Sequence, residues 1–158
     1  MGKSTVILPK KLSVDPTKMR RAITNALQST ALGIKADFEV TQQTWADKAT
    51  FVISSPTPWT REVATDDENY TRLNEGTRPH IIRPKAGGVL VFRTPFRSKT
   101  LPRQISSGPG RSGGAPVFTR GPVNHPGTTA RAWDTTIADK WRKQFATIMQ
   151  RSIDAEVT

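Results

Sequence analysis

Residues 15–46 read DPTKMRRAITNALQSTALGIKADFEVTQQTWA, a pattern that predicts the longest helix of the chain. Asp15 supplies an acceptor side chain for the N-cap, and Pro16 suits the first turn. Apolar residues then recur at steps of three, four and seven along one helical face, namely Met19, Ile23, Leu27, Ala31, Ile34, Phe38 and Trp45. The stripe stays in phase through Gly33, so we predict a single helix over about residues 16–46.

A second amphipathic helix is predicted from Trp133 onward, where the apolar spacing is again helical. Between the two helices the sequence has strand character. Residues 51–54 are predicted to pair with 61–65 as a hairpin, and 80–83 with 89–93 as another across 84–88. Residues 66–68 are predicted to form an acidic turn, and 117–119 a further strand. The predicted fold is a single α+β domain over 1–158, with a small antiparallel sheet of four to five strands.

Charge is concentrated in the middle of the 158-residue chain. Lys and Arg total 24 and Asp and Glu total 13, a formal charge of +11. Residues 76–133 contain ten of the basic residues and no acidic one. We take these ten as candidate contacts to DNA or to a partner protein: Arg78, Arg83, Lys85, Arg93, Arg97, Lys99, Arg103, Arg111, Arg120 and Arg131.

Two segments are predicted to lie outside regular structure. Residues 1–15 are predicted to form an N-terminal arm. Residues 94–116 are rich in Pro, Gly and Arg and have little apolar periodicity. This predicted extended basic loop is far longer than an ordinary connection, which indicates that it is functional or lacks order in the isolated chain.

The sequence offers little support for an enzyme. It has no cysteine and two histidines, His80 and His125, and no nucleophile, base and orienting group at recognisable spacing. We therefore predict no catalytic residues, no cofactor and no metal site. No stretch reaches the roughly 20 apolar residues of a membrane-spanning helix. Trp59, in a predicted loop between Pro58 and Thr60, is a candidate anchor for a subunit contact.

Two motifs, one beginning just before the basic segment and one inside it, resemble a known family. The first runs from Leu73 through Gly76 and Thr77 to Lys85, and the second from Val123 through His125, Pro126 and Gly127 to Arg131. With Thr44-Trp45, Phe51, Leu90-Val91-Phe92 and the Trp-bearing last helix, they resemble the neck or tail-completion proteins of tailed bacteriophages. The resemblance covers roughly residues 16–155. The 94–116 segment looks longer than the family's usual connection, so the resemblance does not cover its role.

The resemblance implies a structural virion protein assembled in the host cytoplasm. Such a protein forms a homo-oligomeric ring, by resemblance a hexamer, at the head–tail junction. Its partners are head-side connector or adaptor proteins and tail terminator or tail tube proteins, and double-stranded DNA passes through its lumen. The alternative is a basic nucleic-acid-binding protein, associated with chromatin or RNA, without a virion role.

Overall fold

The computed structural model describes residues 15–94, 98–106 and 113–157. The helices are α1 (Pro16–Thr41), α2 (Glu68–Glu75) and α3 (Trp133–Val157). The strands are β1 (Val52–Ser54), β2 (Glu62–Ala64), β3 (His80–Ile82), β4 (Leu90–Arg93), β5 (Pro116–Thr119) and β6 (Val123–His125). The predicted α+β class, with a long N-terminal helix and a C-terminal helix, is confirmed.

Helix α1 begins as the sequence predicts and ends five residues earlier. The Asp15 side chain accepts a hydrogen bond from the Thr17 amide at 2.8 Å, and Pro16 occupies the first turn. After Thr41 the chain reverses, because the buried Gln42 amide bonds both backbone groups of Ala49 at 2.6 Å. The predicted continuation to residue 46 is therefore wrong, although Trp45 still packs against the core.

Helices α1 and α3 pack against each other in opposite directions. Ion pairs mark both ends of the contact, Lys140 with Asp37 at 2.6 Å and Arg21 with Glu156 at 3.6 Å. Between them α1 presents small side chains, and a Cβ on Gly33 would overlap the Trp141 ring. Glycine at position 33 thus allows the close approach of a large aromatic side chain.

An aromatic cluster fills the core where α1, α2 and α3 meet. Tyr70 lies 5.0 Å from Phe51 and 4.9 Å from Trp133 between ring centroids, and Phe38 stacks on Phe51 at 4.9 Å. Trp133 is fully buried. Burial raises the pKa of the Tyr70 hydroxyl above its ordinary value, although its hydrogen bond with Thr41 at 2.9 Å acts in the opposite direction.

The acidic segment 66–68 is the start of a helix, so its prediction as a turn is wrong. Asp67 caps α2, since its carboxylate accepts a hydrogen bond from the Tyr70 amide at 2.7 Å, and Glu68 is the first helical residue. Helix α2 is short, with eight residues, and its apolar signal is correspondingly weak. Tyr70 is its buried residue, so the cap fixes the side chain at the centre of the aromatic cluster.

The strands form three two-stranded antiparallel ladders, and these differ from the predicted single sheet of four to five strands. The predicted β1–β2 hairpin is confirmed, with Val52 opposite Ala64. The predicted pairing of β3 with β4 is wrong: β3 pairs with β6 and β4 pairs with β5. A tight turn does close between Lys85 and Gly88, but the flanking strands find their partners in the later segment.

The β3–β6 and β4–β5 ladders follow each other along the same two stretches of chain, and together we call them the ribbon. Ile82 lies opposite Val123, and the next paired residues are Leu90 and Thr119. The two ladders are therefore separated by residues 83–89 on one stretch and by residues 120–122 on the other, so the first connection is longer than the second. Neither ladder has an extensive contact with a helix among the described residues.

Most of the N-terminal arm, residues 1–14, lies outside the described residues, as do 95–97 and 107–112 of the predicted basic loop. Within the described part of that loop, 98–106 docks on the domain, because the Trp133 indole donates to the Gln104 carbonyl at 3.0 Å. The predicted end of the loop at residue 116 is wrong, since Pro116 is the first residue of β5. Within the described residues no helix is long and apolar enough to cross a membrane.

Candidate interaction surface

The two family-motif turns are Gly76-Thr77 and His125-Pro126-Gly127, which are 48 or more residues apart in sequence. They meet just before β3 and at the end of β6, at a junction that we call the root of the ribbon. Thr77 and Thr128 form an isolated antiparallel bridge with backbone hydrogen bonds of 2.9 and 3.0 Å. The bridge has the same register as the β3–β6 ladder, where His80 lies opposite His125. Pairing therefore runs outward from the root, which explains why β3 joins β6 and not β4.

Glycine is required on both sides of the root bridge. Gly76 has a φ of +78° and Gly127 a φ of +85°, in the left-handed region that other residues rarely adopt. A Cβ on Gly76 would lie 2.6 Å from the Thr128 carbonyl oxygen, and one on Gly127 would overlap the Thr77 carbonyl. Each glycine thus allows the opposite strand's backbone to approach closely.

The root is tied to the helical part of the domain through Asn74. Its side-chain oxygen accepts hydrogen bonds from the amides of Trp133 at 2.8 Å and Asp134 at 3.2 Å. Its backbone carbonyl accepts from the Ala132 amide at 3.0 Å. Asn74 lies in the last turn of α2, and its side chain caps α3. One residue therefore fixes the root of the ribbon relative to both helices.

Arg131 has a structural position, unlike the other described basic residues of 76–133. It is 7% exposed, and its guanidinium donates to the Thr100 hydroxyl at 3.0 Å, the Thr129 carbonyl at 2.8 Å and the Ser98 hydroxyl at 3.1 Å. Burial lowers the pKa of Arg131 below its ordinary value. Because the side chain is enclosed and holds the 98–100 segment, we exclude it from the contact surface.

The two histidines make hydrogen bonds to the backbone of the turns at the root of the ribbon. Their rings lie 4.9 Å apart between centroids, on paired residues of β3 and β6. His125 Nδ1 accepts a hydrogen bond from the Gly127 amide at 3.0 Å, and His80 Nδ1 lies 2.9 Å from the Arg78 carbonyl oxygen. Across the described ranges no group of three or more acidic or histidine side chains is placed to hold a metal ion.

Both faces of the β4–β5 ladder, which is the ladder farther from the root, carry apolar side chains. On one face, which we call the ribbon face, Val91 lies opposite Phe118, and these side chains are 58% and 66% exposed. Ile81, on β3, is also exposed. The opposite face carries Leu90 and Phe92, and residues of both ladders line a groove of about 1110 Å³. Its apolar lining comes from Ile82, Leu90, Val91, Phe92, Val123 and Pro126, and Arg93 also lines it.

Exposed cations lie on the ribbon, on its turns and on the described 98–106 segment. Seven of the ten predicted contact residues are exposed in the described part of the chain, namely Arg78, Arg83, Lys85, Arg93, Lys99, Arg103 and Arg120. None of the seven forms an ion pair there, since all five ion pairs of the described residues use cations outside 76–133. Arg97 and Arg111 lie outside the described residues.

Trp59 lies where the sequence predicts, in the β1–β2 connection, and is 50% exposed. The Arg20 guanidinium carbon lies 6.0 Å from its ring centroid, so part of the indole rests near α1. Trp59 is thus available for a contact, on the β1–β2 connection and not on the ribbon.

The sequence interpretation missed the ribbon and its groove. A usable signal was present, because Leu90-Val91-Phe92 and Pro116-Val117-Phe118 are continuous apolar runs without the alternation of a half-exposed strand. Such runs indicate strands that are covered on both faces.

Comparisons with family models, with curated proteins and with solved structures found no match to the chain.

Proposed function

We propose that the chain is a structural subunit of a tailed-phage neck, which assembles into a ring between the head-side connector and the tail. The observation that carries the proposal is the ribbon, whose apolar side chains remain exposed on both faces in the single chain. Contiguous exposed apolar surface of this kind is typical of protein–protein interfaces. A two-stranded ribbon is also only marginally stable alone, so a neighbouring molecule would stabilise it.

The exposed cations support the role of the ring in DNA passage. Seven unpaired positive side chains create a strong local potential, which attracts phosphate groups or acidic protein surfaces without reading a base sequence. In the proposed ring some of them would line the lumen and contact double-stranded DNA. Others would face the head-side adaptor or the tail terminator and tail tube proteins.

The juxtaposition of Gly76-Thr77 with His125-Pro126-Gly127 supports the resemblance on which the proposal draws. Two turns that are far apart in sequence form one junction, in which each glycine makes room for the other strand. A hexameric ring, a location in the virion neck and the absence of an enzymatic activity are parts of the same proposal.

Electron microscopy of the purified protein tests the proposed ring. We expect closed rings of uniform size in negative stain and a matching mass by sedimentation at micromolar concentrations. Adding the protein to particles that lack it should join isolated heads to isolated tails. A chain that stays monomeric and joins no particles would contradict the proposal.

The second candidate function is that of a free nucleic-acid-binding protein, which the seven exposed, unpaired cations favour. Its expected behaviour is a monomer that binds DNA or RNA with an affinity that falls steeply with salt, since each phosphate contact releases counterions. Salt-dependent binding by a monomer, without assembly, would support this function over the neck ring.

A further inference from the structure

The charge of the chain is divided between two adjacent segments of opposite sign. Residues 62–75 contain five acidic residues and one basic residue, a net charge of −4, and residues 76–133 carry +10. The acidic residues of the first segment are Glu62, Asp66, Asp67, Glu68 and Glu75. Three of them, Glu62, Asp66 and Glu75, are exposed and form no ion pair among the described residues.

Glu62, the first residue of the acidic segment, lies on an exposed face of the β1–β2 hairpin. Residues opposite each other in a ladder share a face, so Val52 and Ala64 lie on the same side as Ser54 and Glu62. All four are exposed, and Val52 is 59% accessible. The other side of the hairpin carries Val63, which packs on the core. We call the exposed side the hairpin face.

The ribbon face has the same layout with the opposite charge. The Val91–Phe118 pair is followed by the pair of Arg93 and Pro116 on the same face. All four residues are exposed. The ribbon face thus presents an apolar pair beside a cation, and the hairpin face presents the apolar pair Val52–Ala64 near an anion, Glu62.

We infer that the ribbon face of one copy docks on the hairpin face of the next copy, head to tail. The inference rests on the proposed ring and identifies the surfaces that build it. Because the two faces differ, each copy uses its ribbon toward one neighbour and its hairpin toward the other. A contact of this heterologous kind produces a ring when its rotation closes.

Two features favour this arrangement over a contact between two ribbons. A symmetric ribbon–ribbon pair would bring the cations of two copies together, in particular Arg83, Lys85 and Arg93, and like charges across an interface are costly. Within one copy, moreover, the ribbon and the β1–β2 hairpin have no extensive contact with each other in the described residues. Both faces are therefore available to neighbouring copies.

A mixing experiment tests the inference, with one variant for each face. Phe118→Asp places a negative charge on the ribbon face, and Val52→Glu places a negative charge on the hairpin face, so that the two substituted faces repel each other. Leu32, 54% exposed on α1 and outside both faces, supplies the matched controls Leu32→Asp and Leu32→Glu. All four substitutions are at exposed positions, and circular dichroism would verify that each variant is folded.

Sedimentation velocity would then compare the variants alone and mixed. We expect each face variant alone to associate at least tenfold more weakly than the wild type, while both controls assemble normally. An equimolar mixture of the two face variants should form a pair that stops at two copies. In that pair the intact ribbon of Val52→Glu binds the intact hairpin face of Phe118→Asp, and the two substituted faces left over are both negative and repel each other.

The remaining outcomes separate the two proposals. Assembly of the wild type together with normal assembly of either face variant would overturn the inference and leave the ring standing. A mixture that stays monomeric would also overturn the inference. A wild type that is monomeric at tens of micromolar would contradict both proposals at once.

A charge exchange provides an independent readout of the same interface. Arg93→Glu and Glu62→Lys should each weaken assembly at low salt, and the double variant should restore most of it, because both faces are then reversed together. Asp47→Lys, an exposed charge reversal outside both faces, is the matched control. Double variants that assemble no better than the single ones would contradict the assigned pairing of faces.

Discussion

The helical half of the molecule and the ribbon differ in what covers their apolar side chains. In the helical half Trp133 is fully buried and Tyr70 is 3% exposed, within a cluster to which all three helices contribute. In the ribbon Phe118 is 66% exposed, and the groove beside it is open. The difference indicates that the helical half is held together by its own core, whereas the ribbon's apolar residues are suited to a contact with another molecule.

The largest expected effect is the loss of Trp133 from the helical core. Trp133→Ala should lower the free energy of unfolding by about 3–5 kcal/mol, because it removes a buried aromatic side chain and leaves a cavity. Trp59→Ala, at a half-exposed position, should change it by less than about 0.5 kcal/mol. Urea denaturation of both variants measures the contrast. Similar losses for the two would contradict the assignment of the core.

The next effect concerns the junction between the two regions. Gly127→Ala should destabilise the chain by more than the roughly 1–2 kcal/mol of left-handed strain, because its Cβ would also overlap the Thr77 carbonyl. Gly87, with a φ of +72° and open space around it, is the matched control in which strain acts alone. Thermal unfolding of both variants separates the two causes, and equal losses would contradict a close approach at the root.

A pH dependence should distinguish the helical core from the rest of the molecule. Burial raises the pKa of Tyr70 in the folded state, so its stabilising contribution is complete below about pH 10, the ordinary tyrosine value. The contribution is lost as pH rises further, since the unfolded chain then releases the proton more readily. Tyr70→Phe should show a smaller loss of stability above pH 10 than the wild type.

Tyr70 is the chain's one tyrosine, so ultraviolet absorbance of tyrosinate follows it directly. Titration of the folded protein should show no tyrosinate until unfolding begins. Ionisation at the ordinary pKa in a fully folded chain would contradict the burial of this hydroxyl.

The smallest expected effect on stability belongs to the ribbon. Phe118→Ser should change the unfolding free energy of the monomer by less than about 0.5 kcal/mol, because the side chain is mostly in solvent. The same substitution should weaken assembly. Chemical denaturation in dilute solution and sedimentation at high concentration measure the two effects, and a large loss of monomer stability would place Phe118 in the core.

The sequence predicts the helical half well because its signals are local. The apolar spacing identifies α1 and α3, and the Asp15-Pro16 start lies where expected. The end of α1 escapes prediction, since it depends on hydrogen bonds between Gln42 and Ala49 that no periodicity encodes. Helix α2 escapes as well, because eight residues carry little periodic signal.

The ribbon is harder to predict because its pairing is distant in sequence. The 84–88 turn favours a local hairpin, yet the partners of β3 and β4 come from 123–125 and 116–119. The residues of the candidate interaction surface likewise include some that the sequence predicts and others that it does not. The positions of the cations follow from the sequence, whereas the burial of Arg131 and the grouping of Gly76 with Gly127 require the fold.

The most direct test of the ribbon as the contact surface is hydrogen exchange measured at two protein concentrations. We expect amides of β4 and β5 to exchange quickly in the dilute monomer and to become protected when the protein assembles, because a marginally stable ribbon then gains a partner. Amides of α1 and α3 should be protected equally at both concentrations. Ribbon amides that exchange at the same rate in monomer and assembly would contradict the claim that the ribbon is the contact surface.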